Sequence, residues 1–112
     1  IADILDDHGL TPNEFERQCN GLSDDEVAYR ILKLLTLSLN EGWQPNWNDS
    51  SEYKYIPWFD MRGGSSGFRF DGCDAWATDS NVGSRLCFKT RGLAGYAGQQ
   101  FTDVYKQLML IK

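Results

Sequence analysis

Few residues in this sequence are suited to nucleophilic or acid–base catalysis. His8 is the only histidine, and it precedes Gly9 at the end of a short helical pattern, which favours a surface position over a catalytic one. Cys87 lies two residues from both Arg85 and Lys89, whose charges would lower the pKa of its thiol. Because no second histidine accompanies Cys87, we interpret it as a half-buried packing residue. The sequence therefore predicts no catalytic residue.

The carboxylates of the second half suggest a different chemistry. Asp60, Asp71 and Asp74 could gather near one end of a sheet, and paired carboxylates cleave glycosidic bonds or hold a hard cation. We favour pairing of Asp60 or Asp71 with Arg62 and Arg69, because opposite charges on adjacent strands stabilise a hairpin. A small hydrolase is thus only the third functional hypothesis, and no metal site is predicted.

The cysteines also fail to form a metal-binding or disulfide pattern. There are three, an odd number, and they are widely spaced with no Cys-x-x-Cys pair: Cys19, Cys73 and Cys87. This arrangement predicts reduced thiols of a cytoplasmic protein without a cofactor.

The most informative chemical feature is a set of aromatic and basic residues in the middle and second half of the chain. Nine of them form the candidate binding surface: Trp43, Trp47, Tyr53, Tyr55, Trp58, Arg69, Trp76, Arg85 and Lys89. Aromatic rings interleaved with Arg and Lys are typical of single-stranded nucleic acid binders and equally of protein interfaces. The alternative role of the aromatic residues is core packing, since a small domain must bury large side chains.

Composition limits the elements that can position these residues. The chain has 112 residues, 41% of them hydrophobic and 13% aromatic, which predicts one folded domain over residues 1–112. No apolar run is long enough to span a membrane, so no membrane partner is expected. The net charge of −5 is polarised, because residues 1–52 hold eleven acids and three bases whereas residues 53–112 hold five acids and eight bases.

The first forty residues carry helix signals. Apolar spacing at Ile1 and Ile4 predicts a short helix, and Thr11-Pro12 opens a second one. Ser23 to Glu26 fits a capping box that starts a long helix ending near residue 40. Residues 1–22 are a candidate for a loosely attached helical extension.

The second half predicts a sheet followed by a helix. Residues of alternating character predict three strands, at 53–61, 67–71 and 85–89, in an antiparallel meander, with residues 63–67 as a flexible hairpin and residues 74–81 irregular. Thr90 caps one final helix whose apolar stripe, Leu93/Ala97/Phe101/Val104, packs on the sheet. Gly92, Gly95 and Gly98 predict close approach of that helix to the sheet. The expected class is α+β.

Four segments carry a resemblance: residues 40–47 (NEGWQPNW), 53–59 (YKYIPWF), 83–90 (GSRLCFKT) and 94–101 (AGYAGQQF). Together they resemble a family of small hypothetical proteins of gut Bacteroidales, their phages and their mobile elements, over roughly residues 25 to 110. The resemblance implies a cytoplasmic or virion-associated setting. It transfers no catalytic residue and no ligand.

The leading functional expectation is therefore a non-enzymatic interaction or adaptor module. Its contact surface would be the aromatic and arginine-bearing sheet face together with the Trp43 to Trp47 loop. The expected partner is an unknown protein or a second copy of the chain. Binding of single-stranded nucleic acid is the alternative.

Overall fold

The computed structural model describes residues 1–111 of the chain and confirms the α+β class. Within these residues the elements follow in the order α1 (Ala2–Asp7), α2 (Pro12–Gln18), α3 (Asp24–Asn40), β1 (Lys54–Asp60), α4 (Gly64–Gly67), β2 (Arg69–Trp76), a 3-10 helix (Ser84–Leu86), α5 (Arg91–Gln100) and α6 (Thr102–Met109). None of the helices in this part of the chain combines the length and apolar character that a membrane span requires.

The predicted helix starts are confirmed by their capping contacts. The Thr11 hydroxyl accepts a hydrogen bond from the Glu14 backbone N–H at 3.1 Å, next to Pro12 at the first position of α2. At the start of α3, Glu26 accepts hydrogen bonds from the Ser23 N–H and hydroxyl at 3.1 and 2.7 Å. These caps satisfy backbone donors that have no partner inside the helix.

The first N-terminal helix, α1, contacts α3. Ile4 is 8% exposed and belongs to the main core, and Leu5 beside it is also buried. The His8 ring nitrogen Nε2 lies 3.0 Å from the Leu34 carbonyl oxygen of α3. The contacts of residues 1–8 therefore include both apolar packing and a polar link to α3.

The sheet has two antiparallel strands, so the expected three-stranded meander is wrong. Register runs from Lys54 opposite Trp76 to Asp60 opposite Arg69, with a bulge between Pro57 and Phe59. The second strand is longer than predicted, because residues expected to be irregular from position 74 belong to it. The residue 63–67 connection is not an open hairpin loop but contains the single turn of α4.

The segment expected as a third strand forms a 3-10 turn and one isolated bridge. The Leu86 N–H donates to the Gly83 carbonyl, and only Phe88 pairs with Tyr55, through hydrogen bonds of 2.7 and 2.9 Å. Pro57, two residues beyond Tyr55 on the same edge of β1, has no N–H to continue this ladder.

The backbone groups of the two residues that flank Phe88 pair with a side chain of α3. Asn40 donates its amide to the Cys87 carbonyl at 3.0 Å and accepts from the Lys89 N–H at 3.2 Å. A buried amide at the end of α3 therefore takes the place that a neighbouring strand would occupy.

The final helix is also divided, contrary to expectation. Phe101 has φ −120° and ψ 30°, which separates α5 from α6. The Thr102 hydroxyl donates to the Gly98 carbonyl at 2.7 Å and so satisfies an acceptor at the end of α5. Because of this break, α5 packs on the sheet while α6 packs on α3.

The core lies between α3, α5, α6 and the inner face of the sheet, the face that carries Phe59. Its buried members are Ile4, Leu32, Leu35, Phe59, Phe68, Leu86, Phe88, Ala94, Ala97 and Tyr105. Close approach of α5 to the sheet is confirmed at Gly98, where an added Cβ would lie 2.6 Å from a Phe70 ring carbon. At Gly95 the nearest atoms are 4.0 Å away, so the glycine contact is tight at one position only.

Candidate functional site

Three of the nine predicted site residues, Trp43, Trp47 and Arg85, come together in one open cleft. The cleft has a volume of about 480 Å³ and lies between the second half of α3, the loop after it and the 3-10 helix. Its lining residues are Lys33, Thr36, Leu37, Asn40, Trp43, Gln44, Pro45, Trp47, Ser84, Arg85 and Cys87. The volume is within the range of ligand-binding clefts.

The loop from Trp43 to Trp47 forms one wall of the cleft, and the side chains of Glu52 and Lys54 hold it in place. Glu52 lies just before β1. This carboxylate accepts hydrogen bonds from the Trp43 indole N–H at 3.3 Å and from the Asn46 backbone N–H at 2.7 Å. These hydrogen bonds lower the pKa of Glu52, because they stabilise its ionised form. The loop is thus tied to a charged group next to the sheet.

Lys54 is the second of these side chains, and it is fully buried. Its ammonium group donates to the backbone carbonyls of Asn46, Asp49, Glu52 and Ala77 at 2.6, 3.2, 2.8 and 2.6 Å. A charged group surrounded by carbonyls in this way keeps two separate loops in fixed positions.

The same ammonium group also contacts the cleft wall and the neighbouring carboxylate. It lies 5.1 Å from the centre of the Trp47 ring and 3.4 Å from Glu52 Oε1. The sequence pattern places Lys54 within the predicted strand at 53–61 and gives no indication of this role. Its hydrogen-bond partners are backbone carbonyls, which no residue type encodes, so the sequence carries no local signal for it.

The charge of the cleft is opposite to that of the chain. Among residues 1–111, the side chains of Lys33 and Arg85 are the two charged ones that line the cleft, and no Asp or Glu does, whereas the whole chain has a net charge of −5. Leu37 adds an apolar side chain that is 60% exposed. The cleft can therefore accept a ligand with both an anionic and an apolar part.

The outer sheet face, opposite the core, presents the predicted residues Trp58 and Arg69. Trp58 is 54% exposed. The Arg69 guanidinium, however, donates to Asp60 at 2.8 Å, and Arg62 donates to the same carboxylate from its backbone and side chain. The expected pairing of Asp60 with both arginines is therefore confirmed.

These contacts affect the chemistry of both partners. The hydrogen bonds from Arg62, with the nearby charge of Arg69, hold the pKa of Asp60 well below its usual range. Since Asp60 accepts from both guanidiniums, part of their donor capacity and charge is committed within the protein. This leaves less for phosphate binding on the outer sheet face.

Two of the other four predicted residues, Tyr55 and Trp76, are partly buried. Tyr55 packs against the core, with the Arg91 guanidinium 5.2 Å from its ring centre. Trp76 is partly buried and packs so closely on Gly83 that an added Cβ would lie 2.7 Å from its ring. Tyr53 is 55% exposed, and Lys89 is exposed outside any strand. The nine residues therefore do not form one continuous face.

Cys87 lines the cleft but lacks the features of a nucleophile. It is 2% exposed, and its thiol lies 3.3 Å from the Ser84 carbonyl. Burial raises the pKa of this thiol, contrary to the lowering expected from the neighbouring cations. The packing interpretation of Cys87 agrees with this environment.

His8, Ser38 and Asp7 lie close together, but their hydrogen bonds are not those of a catalytic triad. The Ser38 hydroxyl donates to Asp7 Oδ2 at 2.6 Å, and His8 Nε2 lies 2.9 Å from the same hydroxyl. Because the Leu34 carbonyl beside Nε2 can only accept, this network assigns the ring proton to Nε2. His8 so protonated cannot take the proton of Ser38 through this nitrogen.

Among residues 1–111, no group of three or more histidine, cysteine or carboxylate side chains is placed to hold a metal ion. Comparison with known proteins adds no further assignment: the chain matches no protein-family model, no curated protein and no solved structure.

Proposed function

We propose that this protein is a non-enzymatic interaction module and that its contact surface is the cleft between α3, the Trp43 to Trp47 loop and the 3-10 helix. The observation that carries the proposal is the arrangement of Trp43, Trp47 and Arg85 around one open concave surface. Tryptophan and arginine contribute most to the binding energy of protein interfaces, particularly where they line a pocket.

The way the cleft is built supports the same function. Lys54 and Glu52 fix the loop that bears both tryptophans through hydrogen bonds of 2.6 to 3.3 Å. A binding surface held in place before the partner arrives loses less conformational entropy on binding. The exposed Trp58 on the outer sheet face is a second, smaller contact region.

Binding of single-stranded nucleic acid is the alternative, and one observation favours it. The cleft combines two tryptophans with Lys33 and Arg85, as in sites where bases stack and cations contact phosphates. Against it, the arginines of the outer sheet face are paired with Asp60, and the chain as a whole is acidic.

A small hydrolase is the third hypothesis, and a screen with generic esters, phosphates and glycosides tests it.

A fluorescence titration distinguishes the first two functions. Mixed-sequence single-stranded DNA and RNA are added to the protein at low and moderate salt while tryptophan emission and light scattering are recorded. We expect no salt-sensitive quenching, and the scattering mass reports whether copies of the chain associate. Micromolar quenching that weakens with salt and is lost in Arg85→Glu, but kept in the α2 control Arg17→Glu, would establish nucleic acid binding instead.

The family resemblance adds a proposed setting. We infer that the protein belongs to the phage- or mobile-element-associated family of gut Bacteroidales and acts in the cytoplasm or as part of a virion. The tagged protein is localised in cells during phage production and is also looked for in purified phage particles. Its absence from both the cytoplasm and the particles would contradict this proposal.

A further inference from the structure

We propose that the cleft binds a short extended peptide segment of a partner protein, with one or two carboxylates next to apolar or aromatic side chains. This inference rests on the proposed function and names the chemistry of the partner. It depends on the charge, the apolar wall and the limited number of cations in the cleft.

Charge is the first argument. Lys33 on α3 and Arg85 on the 3-10 helix line the cleft, and none of the acidic side chains in residues 1–111 does. Residues 1–52, which supply most of the lining, hold eleven acids and only three bases, one of which is Lys33. Two cations in such acidic surroundings select a ligand with carboxylates placed to meet them.

The apolar wall is the second argument. Leu37 is 60% exposed, and Trp43 and Trp47 are partly buried with Pro45 between them. Burial of these side chains by a ligand would contribute through the hydrophobic effect, which a purely ionic ligand cannot do. An apolar or aromatic side chain of the partner is therefore required beside the carboxylate.

The position of Lys54 influences which chemical groups of a ligand can bind favourably to the Trp47 ring. The Lys54 ammonium is already 5.1 Å from the Trp47 ring centre, so the negative electrostatic potential of this ring is partly satisfied inside the protein. A second cation would gain little from the same ring and would also meet Lys33 and Arg85. This disfavours a basic peptide as the partner.

A peptide fits these features better than a nucleic acid strand. Every nucleotide carries a phosphate charge, whereas a peptide can place carboxylates only where Lys33 and Arg85 meet them. A strand leaving the cleft would approach acidic residues such as Glu41, which is exposed next to the lining residue Asn40. Only two phosphates could be neutralised, and phosphate neutralisation is the main source of nucleic acid affinity.

Exposed polar groups in the lining suit a peptide backbone. Gln44 and Ser84 are both exposed and lie in the walls formed by the loop and the 3-10 helix. Their side chains can donate to carbonyls and accept from N–H groups of an extended segment.

Selection from a random peptide library tests the proposal without knowledge of the natural partner. A displayed library of random 12-residue peptides is selected on the wild-type protein and, in parallel, on the variants Arg85→Glu and Trp43→Ala. Arg17→Glu, which makes the same charge change on α2, is the control. Enriched peptides are then synthesised, and their affinity is measured by fluorescence anisotropy at two salt concentrations. Melting temperatures establish that each variant is folded.

We expect the enriched peptides to be acidic and to contain at least one apolar or aromatic residue. Their affinity should fall at least about tenfold in Arg85→Glu, the loss expected when an attractive charge becomes a repulsive one, and stay unchanged in Arg17→Glu. A single-stranded 12-mer of thymidylate should not displace them at equal concentration.

Three results would overturn the proposal, and they separate its failure from that of the proposed function. Enriched peptides that are neutral or basic but need Trp43 would refute the acidic partner and leave the interaction module intact. Enrichment that depends on neither Trp43 nor Arg85 would refute both. Displacement by the thymidylate 12-mer at lower concentration than the peptide would assign the cleft to nucleic acid.

Discussion

At the scale of single residues, Lys54 connects the loop before β1 with the segment after β2. Its buried ammonium donates to the backbone carbonyls of Asn46, Asp49, Glu52 and Ala77 and lies against Trp47. A buried charge is tolerated only when it is surrounded by partners in this way, and its removal leaves those partners unsatisfied.

Lys54→Met, which replaces the ammonium side chain by an uncharged, unbranched one that is one atom shorter, should lower the free energy of unfolding by on the order of 3 kcal/mol. The Trp43 to Trp47 loop should also loosen, with tryptophan emission shifted to longer wavelength. Chemical unfolding followed by fluorescence measures both effects. Lys89→Met is the control, since Lys89 is exposed and its hydrogen bond to Asn40 uses the backbone N–H. Equal stability of the two variants would show that Lys54 does not organise the loop.

Tyr105 differs from Lys54, because its buried hydroxyl has no hydrogen-bond partner among the described residues. Burial also raises the pKa of this hydroxyl. Tyr105→Phe removes the unsatisfied oxygen, so the free energy of unfolding should rise by about 1 kcal/mol. Thermal unfolding compares it with Tyr96→Phe, where the ring is 51% exposed and no change is expected. A destabilised Tyr105→Phe would mean that the hydroxyl has a partner in solution.

Asp60 makes stability depend on pH in the acid range. Because Arg62 and Arg69 hold its folded-state pKa below the ordinary value near 4, its stabilising contribution is present above that value and lost as the pH falls below it. Hydrogen bonds lower the pKa of Glu26, Asp49 and Glu52, which act in the same direction.

Asp60→Asn should therefore reduce the urea midpoint at pH 7 and make it fall less between pH 5 and pH 3. Urea unfolding at several pH values measures this, with Asp79→Asn, the same substitution at an exposed position, as the matched control. The pairing would be refuted as a source of stability by an Asp60→Asn profile parallel to that of the wild type.

At the scale of elements, the contact of α5 with the sheet depends on one glycine of three. A Cβ at position 98 would lie 2.6 to 2.8 Å from Phe70 and Pro57, whereas one at position 95 would be in ordinary contact at 4.0 Å. Gly98→Ala should cost about 1–3 kcal/mol through overpacking. Gly95→Ala should increase stability by up to about 1 kcal/mol, because alanine favours the helix. Thermal unfolding of the two variants measures the difference, and destabilisation by both would place the whole glycine series against the sheet.

The elements that the sequence could predict are those specified by neighbouring residues. The starts of α2 and α3 follow from Thr11-Pro12 and from the Ser23 to Glu26 capping box, both local patterns. The absence of a strand at residues 85–89 could not be predicted. The alternating residues there form a local pattern, but the group that pairs with their backbone lies far away in the sequence. Asn40 on α3 satisfies the Cys87 carbonyl and the Lys89 N–H, and nothing near those residues encodes that contact.

At the scale of the whole molecule, the cleft is formed by segments far apart in sequence. Lys33 and Leu37 come from α3, Trp43 and Trp47 from the following loop, and Arg85 from the 3-10 helix. The sequence indicated that both tryptophans and Arg85 belong to a binding surface, but it placed the tryptophans on a loop and Arg85 on a sheet face. Trp43, Trp47 and Arg85 lie around one cleft because residues 85–89 do not form a strand, which leaves Arg85 beside α3.

Accessibility and charge at Trp43 and Trp47 are the properties on which the proposed binding surface depends most. They are measured by collisional quenching in a Trp58→Phe/Trp76→Phe variant, with iodide and caesium compared at equal ionic strength. Each quenching constant is divided by its value for free N-acetyltryptophanamide. We predict stronger normalised quenching by iodide than by caesium, and loss of this preference in Lys33→Gln/Arg85→Gln, because the open cleft attracts anions. Tryptophans protected from both ions, or quenched more by caesium, would contradict an open basic cleft.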